Sequence, residues 1–423
     1  MSDSDGRRGA TRRGFIKGAL AAGAGAASAG AAGAEAGDPA ITELQPWMRA
    51  FGPGVDASPY GLPSEHESHV RRRYVEWLRP DTISAVNFTP IHQLDGIITP
   101  NGLCFERHHS GVALIDPGRH RLMINGLVDT PLVFTMEDLK RFPRENRIYF
   151  LECAANSGME WRGPQLNGCQ FTHGMIHNLM YTGIPLRHVL DEAGLKPGAK
   201  WLLAESADAA AMTRSIPLEK ALDDCLLAFA MNGEALRPEQ GYPLRLVVPG
   251  WEGNMWIKWL RRIEVGDRPW HQREETSKYT DLLGDGRTRR FTFEMDAKSV
   301  ITSPSPQAPI THGPGPTIIT GIAWSGRGTI ARVDVTLDGG VNWHTARLSG
   351  PSFDKSLHRF YFEFDWDGRP MLLQSRAIDS TGYVQPTKDA LRAVRGVSSG
   401  YHNNGIQTWA IDSEGRAENV EIS

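Results

Sequence analysis

A single cysteine after a predicted buried strand is the first candidate for chemistry in this sequence. Residues 148–151 form a continuous run of β-branched, aromatic and large apolar side chains, which is typical of a buried strand. Cys153 follows, and the small residues, Asn and Gly after it predict a loop. A thiol at the mouth of a strand could hold a metal or act as a nucleophile, but free cysteine is also a common small core residue. The residue types alone leave both interpretations open.

Basic side chains elsewhere in the chain could bind an anion. Arg107 stands beside His108 and His109. Adjacent strand residues point to opposite faces, so a zinc ion held by both histidines is unfavourable. Arginine and histidine together suit a phosphate, and a solvated polar loop is the alternative. Arg245 interrupts an apolar segment and would need a structural carboxylate or an anionic ligand as its partner.

The surrounding pattern predicts two domains. Residues 100–295 mix strands with short helices, including one helix that follows Pro185 and ends at Gly194. A Pro-rich segment at 303–316 is interpreted as a linker that marks a domain boundary. Alternating strands and turn signals over 296–400 are typical of an immunoglobulin-like sandwich. The predicted fold class is therefore a mixed α+β domain followed by an immunoglobulin-like β-sandwich.

The two ends of the chain have their own compositions. Residues 1–36 contain the twin arginines Arg12 and Arg13, a weakly hydrophobic Ala/Gly stretch and a small-x-small cleavage pattern. This order predicts a signal for export of the folded protein to the periplasm, with the exact cleavage site left open. Residues 37–99 are interpreted as an extension that wraps the main domain, and residues 401–423 as an arm against a partner subunit. No apolar segment is long enough to span a bilayer.

Composition excludes several function classes. The net charge of -3 leaves no basic footprint for nucleic acid. The sequence has no C-x-x-C-H haem attachment site, no cysteine cluster suited to an iron–sulfur centre, and no G-x-G-x-x-G after a strand. Four cysteines are too sparse for a disulfide scaffold, and the pairing of Cys104, Cys169 and Cys225 stays open.

Several segments together resemble the sulfite oxidase family of molybdopterin enzymes. They are Phe105-x-Arg107-x-His109, Glu152-Cys153-Ala154-x-Asn156, Met231-Asn232-Gly233-x-x-Leu236, 241–250, Ile257-Lys258-Trp259, 323–326 and 332–340. Within that family, the segments 100–103, 105–109, 158–161 and 274–279 resemble the molybdenum-bearing subunits of the sulfane dehydrogenases of the bacterial thiosulfate-oxidising (Sox) system.

The resemblance implies a molybdenum–molybdopterin cofactor with Cys153 as the thiolate ligand of the metal, a soft donor that suits it. It implies catalytic roles for Arg107 and Tyr279 beside Cys153. The residues that it assigns to cofactor binding are His108, His109, Asn156, Gln240, Arg245 and Lys258. It also implies the family's sulfite oxidase fold for the first domain and a dimerisation role for the sandwich, hence a homodimeric core.

Departures from the family pattern bear on the substrate. An arginine that sulfite oxidases carry shortly after the cysteine is absent, and Gly158 stands in that region. Gln240 replaces a histidine, and Tyr181 replaces a tryptophan. Fewer positive charges argue against a site tuned only for free sulfite. We therefore expect Gly158 to leave room for a sulfur substrate on a carrier protein, with Arg162 as a possible replacement cation.

The implied reaction is the oxidation of sulfur by oxygen-atom transfer, with sulfane sulfur on a carrier-protein cysteine, or sulfite, as substrate. Because the sequence has no haem site, a separate electron acceptor is required, and a c-type cytochrome is the periplasmic candidate. The resemblance implies that this acceptor is a dihaem subunit. A stand-alone sulfite dehydrogenase is the first alternative. A reductase of oxidised methionines is disfavoured by the sandwich domain, and a binding protein that has lost the metal is a remoter alternative.

Overall fold

A computed structural model describes residues 63–75 and 86–422. The strands of the first domain are β1 (Leu122–Gly126), β2 (Leu132–Phe134), β3 (Glu145–Glu152), β4 (Ile176–Pro185), β5 (Trp201–Ser206), β6 (Thr213–Pro217), β7 (Leu226–Met231), β8 (Glu234–Ala235), β9 (Arg245–Val247), β10 (Leu260–Gly266), β11 (Asp281–Leu282) and β12 (Thr288–Arg289). Its α-helices are α1 (Met136–Leu139), α2 (Cys169–His173), α3 (Leu186–Ala193) and α4 (Leu218–Asp223). Short 3-10 turns lie at Glu65–Glu67, Asn101–Leu103, Gly158–Arg162, Pro238–Gln240, Gly253–Met255 and Arg273–Glu275.

Two sheets organise the first domain. One has the order β2-β1-β10-β5-β6, with β1 and β10 parallel and the other pairs antiparallel. The other has the order β3-β4-β7-β8, and β9 also pairs with β7. The helix predicted between Pro185 and Gly194 is confirmed as α3: its residues Leu186, Val189, Leu190 and Ala193 are buried, and Gly194 follows its C-terminus at φ +69°.

Strand β3 lies between two hydrophobic cores, which explains its continuous apolar run. Tyr149 and Leu151 pack in the core of the first domain. Phe150, which points to the opposite face, packs with Ile176 in the core of the sandwich. A strand that is covered on both faces needs apolar residues at successive positions rather than at alternate ones. The strand predicted from residues 148–151 is confirmed.

The second domain is a β-sandwich. Its elements are β13 (Lys298–Ser303), β14 (Gly315–Trp324), β15 (Ile330–Thr336), β16 (His344–Thr345), β17 (Arg347–Ser349), β18 (His358–Trp366), β19 (Met371–Asp379), α5 (Lys388–Arg395), β20 (Thr408–Ile411) and β21 (Ala417–Val420). One sheet has the order β13-β14-β18-β17 and the other β16-β15-β19-β20-β21. A mixed first domain followed by a sandwich confirms the predicted fold class.

Two sequence interpretations of this region are wrong. The Pro-rich segment 303–316 does not separate domains, because β13 and β14 on either side of it are paired strands of one sheet. Residues 401–423 do not form a separate arm, because β20 and β21 extend this chain's own sheet beside β19. Polar composition had suggested an arm, but short edge strands can also be polar.

The N-terminal predictions are only partly within the described residues. The predicted signal at 1–36 lies outside them, as do parts of the extension 37–99. The described part of that extension contacts the first domain: the Thr89 amide donates to the Gly174 carbonyl at 2.8 Å, and the Thr99 amide to the Asn178 carbonyl at 2.8 Å. In the portion of the chain that the structure covers, no helix is long and apolar enough to cross a membrane.

Candidate active site

A cavity in the first domain brings together most of the residues singled out from the sequence. Its empty volume is about 700 Å³, part of which is open to solvent. The lining includes eight of the predicted site residues, namely Arg107, His108, His109, Cys153, Gln240, Arg245, Lys258 and Tyr279. They come from four separate stretches of the chain, and the fold brings their side chains together around one cavity.

Cys153 lies directly after β3, where the chain turns into a loop. Its amide donates to the Met175 carbonyl at 3.0 Å, and its carbonyl accepts from the Asn156 amide at 2.9 Å. Burial raises the pKa of the Cys153 thiol, while the charge of Arg107 opposes that shift. The thiol is therefore protonated at neutral pH by itself, and it becomes a thiolate when a metal replaces the proton.

Asn156 does not reach the cavity, so its predicted role in cofactor binding is not supported. Its side-chain amide is fully used behind the cysteine loop. The amide nitrogen donates to Glu152 Oε1 at 2.9 Å and to the His173 carbonyl at 3.1 Å, and Oδ1 accepts from the Met175 amide at 3.1 Å. Asn156 instead fixes the shape of the loop that presents Cys153.

Arg107, His109 and Tyr279 lie together near the cysteine. His109 Nε2 is 3.1 Å from the Tyr279 hydroxyl. Burial, with the charge of Arg107, lowers the pKa of His109 to about 4, so its imidazole is neutral at pH 7. Burial and the nearby Cys153 raise the pKa of Tyr279, so its phenol keeps its proton. The site thus offers one fixed cation and a protonated hydroxyl beside the thiol.

Tyr279 is held by contacts from three directions. Its backbone has φ +51°, an uncommon conformation for a non-glycine residue. The Arg214 guanidinium carbon lies 5.6 Å from the centre of its ring, and the Tyr401 ring lies 5.2 Å away. Tyr279 is thus fixed in the cavity wall.

A second part of the cavity is cationic. Arg245 is buried and donates from Nη1 to the carbonyl and Oε1 of Gln240, at 3.2 and 3.0 Å. Lys258 donates to the carbonyls of Arg107 and Glu239, at 3.2 and 3.1 Å, and lies 3.1 Å from His108 Nδ1. Burial, with the charge of Arg245, lowers the pKa of Lys258 to about 7.

These cations fit an anionic cofactor. Neither Arg245 nor Lys258 has a carboxylate among its hydrogen-bond partners in the described chain, and Arg245 Nε has no partner at all. Asp208 and Glu239 act on Lys258 without being hydrogen-bonded to it, so the charges of the two cations are only partly compensated, and a ligand that brings negative charge would be stabilised here. A phosphate-bearing pterin has the required charge and hydrogen-bond acceptors.

The zinc alternative at the adjacent histidines has no support. His108 is buried and bonded to Glu106 Oε2 at 2.8 Å, whereas His109 faces Tyr279. Across residues 63–75 and 86–422, no three His, Cys, Asp or Glu side chains converge on a metal position. The four cysteines are free, and no disulfide joins Cys104, Cys169 and Cys225.

The expectation for Gly158 and Arg162 is wrong. Gly158 does not line the cavity, and a Cβ atom there would overlap the backbone carbonyl oxygen of Gly400. The missing side chain therefore makes room for the segment that precedes Tyr401, not for a substrate. Arg162 is exposed and is not part of the cavity wall. The cationic lining of the cavity consists of Arg107, Arg245 and Lys258.

Sequence reasoning missed several lining residues, among them His177, Asp208, Asn254 and Trp259. Asp208 orients the loop after His109, because Ser110 donates to its carboxylate at 2.8 Å. His177 lies in β4, where a histidine and an asparagine interrupt an apolar strand. That interruption was the one available signal, and it does not indicate which face of the strand the imidazole occupies.

Comparison with known proteins agrees with this geometry. The chain matches the oxidoreductase molybdopterin binding domain over residues 109–274 and the Mo-co oxidoreductase dimerisation domain over residues 289–409. Sulfite oxidase from Gallus gallus is 31% identical over 389 residues, covering 85% of this chain and 82% of that protein. Mitochondrial sulfite oxidase from Rattus norvegicus is 30% identical, covering 87% and 71%.

A solved structure is more similar still. The crystal structure of the sulfane dehydrogenase SoxCD from Paracoccus pantotrophus matches with a TM-score of 0.89 and 64% sequence identity, covering 91% of this chain and 99% of that one. Three observations lead to one conclusion: the cysteine at the cavity, the absence of carboxylates among the hydrogen-bond partners of Arg245 and Lys258 in the described chain, and these matches. The chain belongs to the sulfite oxidase family of molybdopterin-dependent oxidoreductases, with molybdenum–molybdopterin as its cofactor.

Proposed function

We propose that this protein oxidises sulfane sulfur bound to a cysteine of a carrier protein. The observation that carries the proposal is the 64% identity to a sulfane dehydrogenase over nearly the whole of both chains, against 30–34% for the sulfite oxidases. A difference of that size within one family favours the activity of the nearer relative. The alternative is oxidation of free sulfite, the activity named for the more distant relatives.

Different residues of the cavity would bind the metal and the pterin of the cofactor. Cys153 is the proposed protein ligand of molybdenum. Arg245, Lys258, His108 and His109 would hold the pterin and its phosphate, with Gln240 fixing the Arg245 guanidinium through the bond at 3.0 Å. When bound, the cofactor supplies oxygen-atom transfer and two-electron redox chemistry.

Arg107 and Tyr279 are the proposed substrate-facing groups. Arg107 lines the same cavity as Cys153 and Tyr279, and its charge acts on both, which supports its assignment to the reacting end of the cavity. A guanidinium there would orient an anionic sulfur, and the protonated Tyr279 hydroxyl would donate to oxygen as it is gained. Each oxygen added to sulfur comes from water, and two electrons and two protons leave.

Those electrons need an acceptor outside this chain. The sequence has no C-x-x-C-H haem attachment site. We infer that a c-type, dihaem cytochrome receives them, and the SoxCD relative supports a partner subunit. The twin arginines at 12–13 support export to the periplasm, and the match to a dimerisation domain supports a homodimeric core.

Steady-state kinetics would test the substrate. Purified holoenzyme is assayed with a c-type cytochrome as acceptor, first with carrier-bound sulfane sulfur and then with sulfite. We expect kcat/KM to be at least about tenfold higher for the carrier-bound substrate, a difference of about 1.4 kcal/mol in transition-state stabilisation. Higher kcat/KM with sulfite would favour the sulfite dehydrogenase instead.

A Cys153→Ser variant is the control for both substrates. Removing the proposed metal ligand should lower turnover by more than the roughly 10–100-fold typical of groups that only support a ligand. Equal loss with both substrates would show that one metal centre serves them. Full activity in this variant would contradict the assignment of Cys153.

A further inference from the structure

Two buried nitrogen atoms without hydrogen-bond partners belong to the wall of the cofactor cavity. They are Nε of Arg245 and Nδ1 of His177. Arg245 is 4% exposed and His177 is 1% exposed. Leaving a buried polar atom without a hydrogen bond is unfavourable, so both atoms are expected to gain a partner when the cavity is filled.

Both polar atoms of the Gln240 side chain already bond to the protein, whereas Nδ1 of His177 has no partner in the described chain. Gln240 Oε1 accepts from Arg245 at 3.0 Å, and Gln240 Nε2 donates to the Phe105 carbonyl at 3.0 Å. The side chain is therefore committed to the protein at both ends. The imidazole that the family pattern leads one to expect at position 240 is present in the same cavity, but it comes from β4.

His177 is held in place on its other sides. Its ring centre lies 4.9 Å from that of Phe105, and its Nε2 lies 3.3 Å from the Tyr181 hydroxyl. When the tyrosine hydroxyl donates to Nε2, the proton of the neutral imidazole resides on Nδ1, which then becomes a donor. Burial, with the charges of Arg245 and Lys258, lowers the pKa of His177, so the ring is neutral.

We propose that His177 is a cofactor-binding residue that donates a hydrogen bond from Nδ1 to the anionic, phosphate-bearing part of molybdopterin beside Arg245. The cations that surround it select an anion, and the neutral ring adds a directed donor without adding another charge. The inference rests on the cofactor and not on the identity of the sulfur substrate.

Cofactor retention in the holoenzyme tests this role without an activity assay. His177→Leu removes both ring nitrogens. His177→Asn keeps an amide donor near the position of Nδ1, whereas His177→Gln places its amide near that of Nε2. Two quantities are measured. The first is the molybdenum-to-protein ratio after purification, and the second is the rate at which the pterin dissociates on dilution, followed by its fluorescence.

His173→Leu is the matched control. His173 is also 1% exposed and has an unpaired Nε2, but it does not line the cavity. Its substitution therefore measures the general cost of losing a buried imidazole near the active-site loop. Cofactor release from this variant should be within about twofold of wild type, since no cavity contact is lost.

We expect His177→Leu and His177→Gln to release cofactor about tenfold faster than wild type, and His177→Asn to stay within about threefold, because one hydrogen bond to a charged group is at stake. If His177→Leu does not fold, the comparison of cofactor release from His177→Asn and His177→Gln tests the proposal. Wild-type retention in His177→Leu, equal release from Asn and Gln, or equally fast release from His173→Leu would each overturn the proposal.

Discussion

Buried cations in two regions of the molecule have different partners. Outside the cavity, Lys298 lies 3.0 Å from Glu152 and Arg214 lies 3.1 Å from Glu252, and all four side chains are at most 2% exposed. Inside the cavity, Arg245 is bonded, among residues 63–75 and 86–422, only to the carbonyl and amide oxygens of Gln240. The first group is neutralised by the fold itself. The second is left for a ligand to neutralise, which distinguishes a structural charge from a binding charge.

The largest expected effect comes from breaking a neutralised pair. Lys298, in the sandwich, binds Glu152 Oε1, and Trp324 donates to Glu152 Oε2 at 2.7 Å. Lys298→Met would leave a buried carboxylate without its cation, so we expect the free energy of unfolding to fall by about 3–5 kcal/mol. Urea unfolding followed by tryptophan fluorescence would measure it.

A double variant separates the charge from the packing. Glu152→Gln combined with Lys298→Met removes both charges and keeps one side-chain oxygen as acceptor for either Trp324 Nε1 or Asn156 Nδ2, which both donate to Glu152. It should recover part of the lost stability, because a neutral side chain needs no counter-ion but one of the two donors loses its acceptor. A single-variant loss below about 1 kcal/mol would show that this pair is not a structural anchor.

Arg245→Met should behave in the opposite way. Because Arg245 has no carboxylate partner, its loss should change the stability of the cofactor-free protein by no more than about 1 kcal/mol. Cofactor retention should fall at least about tenfold, since charge-assisted hydrogen bonds to an anion are lost. Unfolding of the cofactor-free form and the molybdenum content of the purified protein are the two measurements.

Arg214→Met is the paired control for that experiment. Arg214 binds Glu252 and the Glu274 carbonyl, so its removal should lower the stability of the cofactor-free protein first and affect the cofactor only through folding. Equal stability losses in the Arg245 and Arg214 variants would remove the distinction between the two kinds of buried cation.

The local pattern of apolar and polar residues is sufficient to predict much of the fold and the position of the Cys153 thiol. The apolar run at 148–151 and the apolar stripe of α3 each report a burial pattern that a short segment repeats. Resemblance to a family then assigned eight side chains to a cavity that the structure does form. Those residues are recognisable because their types and spacing occur within short motifs.

The errors concern contacts between distant segments. Gly158 was interpreted as space for a substrate, but the backbone of Gly400 occupies that space. Asn156 belongs to a cofactor motif in sequence, but it braces the loop from behind. His177 was overlooked because the face of β4 that meets the cavity depends on how β3 and β7 flank it. No local pattern encodes such long-range packing.

The pH dependence of stability gives a smaller effect at Lys258. Its pKa is lowered to about 7 by burial and by the charge of Arg245. Between pH 7 and about 10 the unfolded chain thus binds more protons at this lysine than the folded, cofactor-free chain, so stability should rise with pH. Since Lys258 is only partly buried, we expect a rise of about 1–2 kcal/mol.

Two controls test whether this rise in stability with pH comes from Lys258 in the cavity. Lys258→Met should abolish it, and a bound anionic cofactor should reduce it by favouring the charged lysine. Urea unfolding of both forms at pH 7 and pH 9 provides the comparison. If holoprotein and cofactor-free protein gain the same stability between these pH values, Lys258 is not acting as a binding charge.

The smallest expected effect is at Arg162, a cation that belongs to neither group. It is exposed and lies outside the cavity wall, so Arg162→Gln should change kcat/KM with sulfite by no more than about twofold, equivalent to about 0.5 kcal/mol. Arg107→Met is the matched change inside the cavity and should reduce the same constant by at least about tenfold. A tenfold loss at Arg162 would mean that the substrate's counter-charge comes from outside the cavity, and the division into structural cations neutralised by the fold and binding cations in the cavity would then be incomplete.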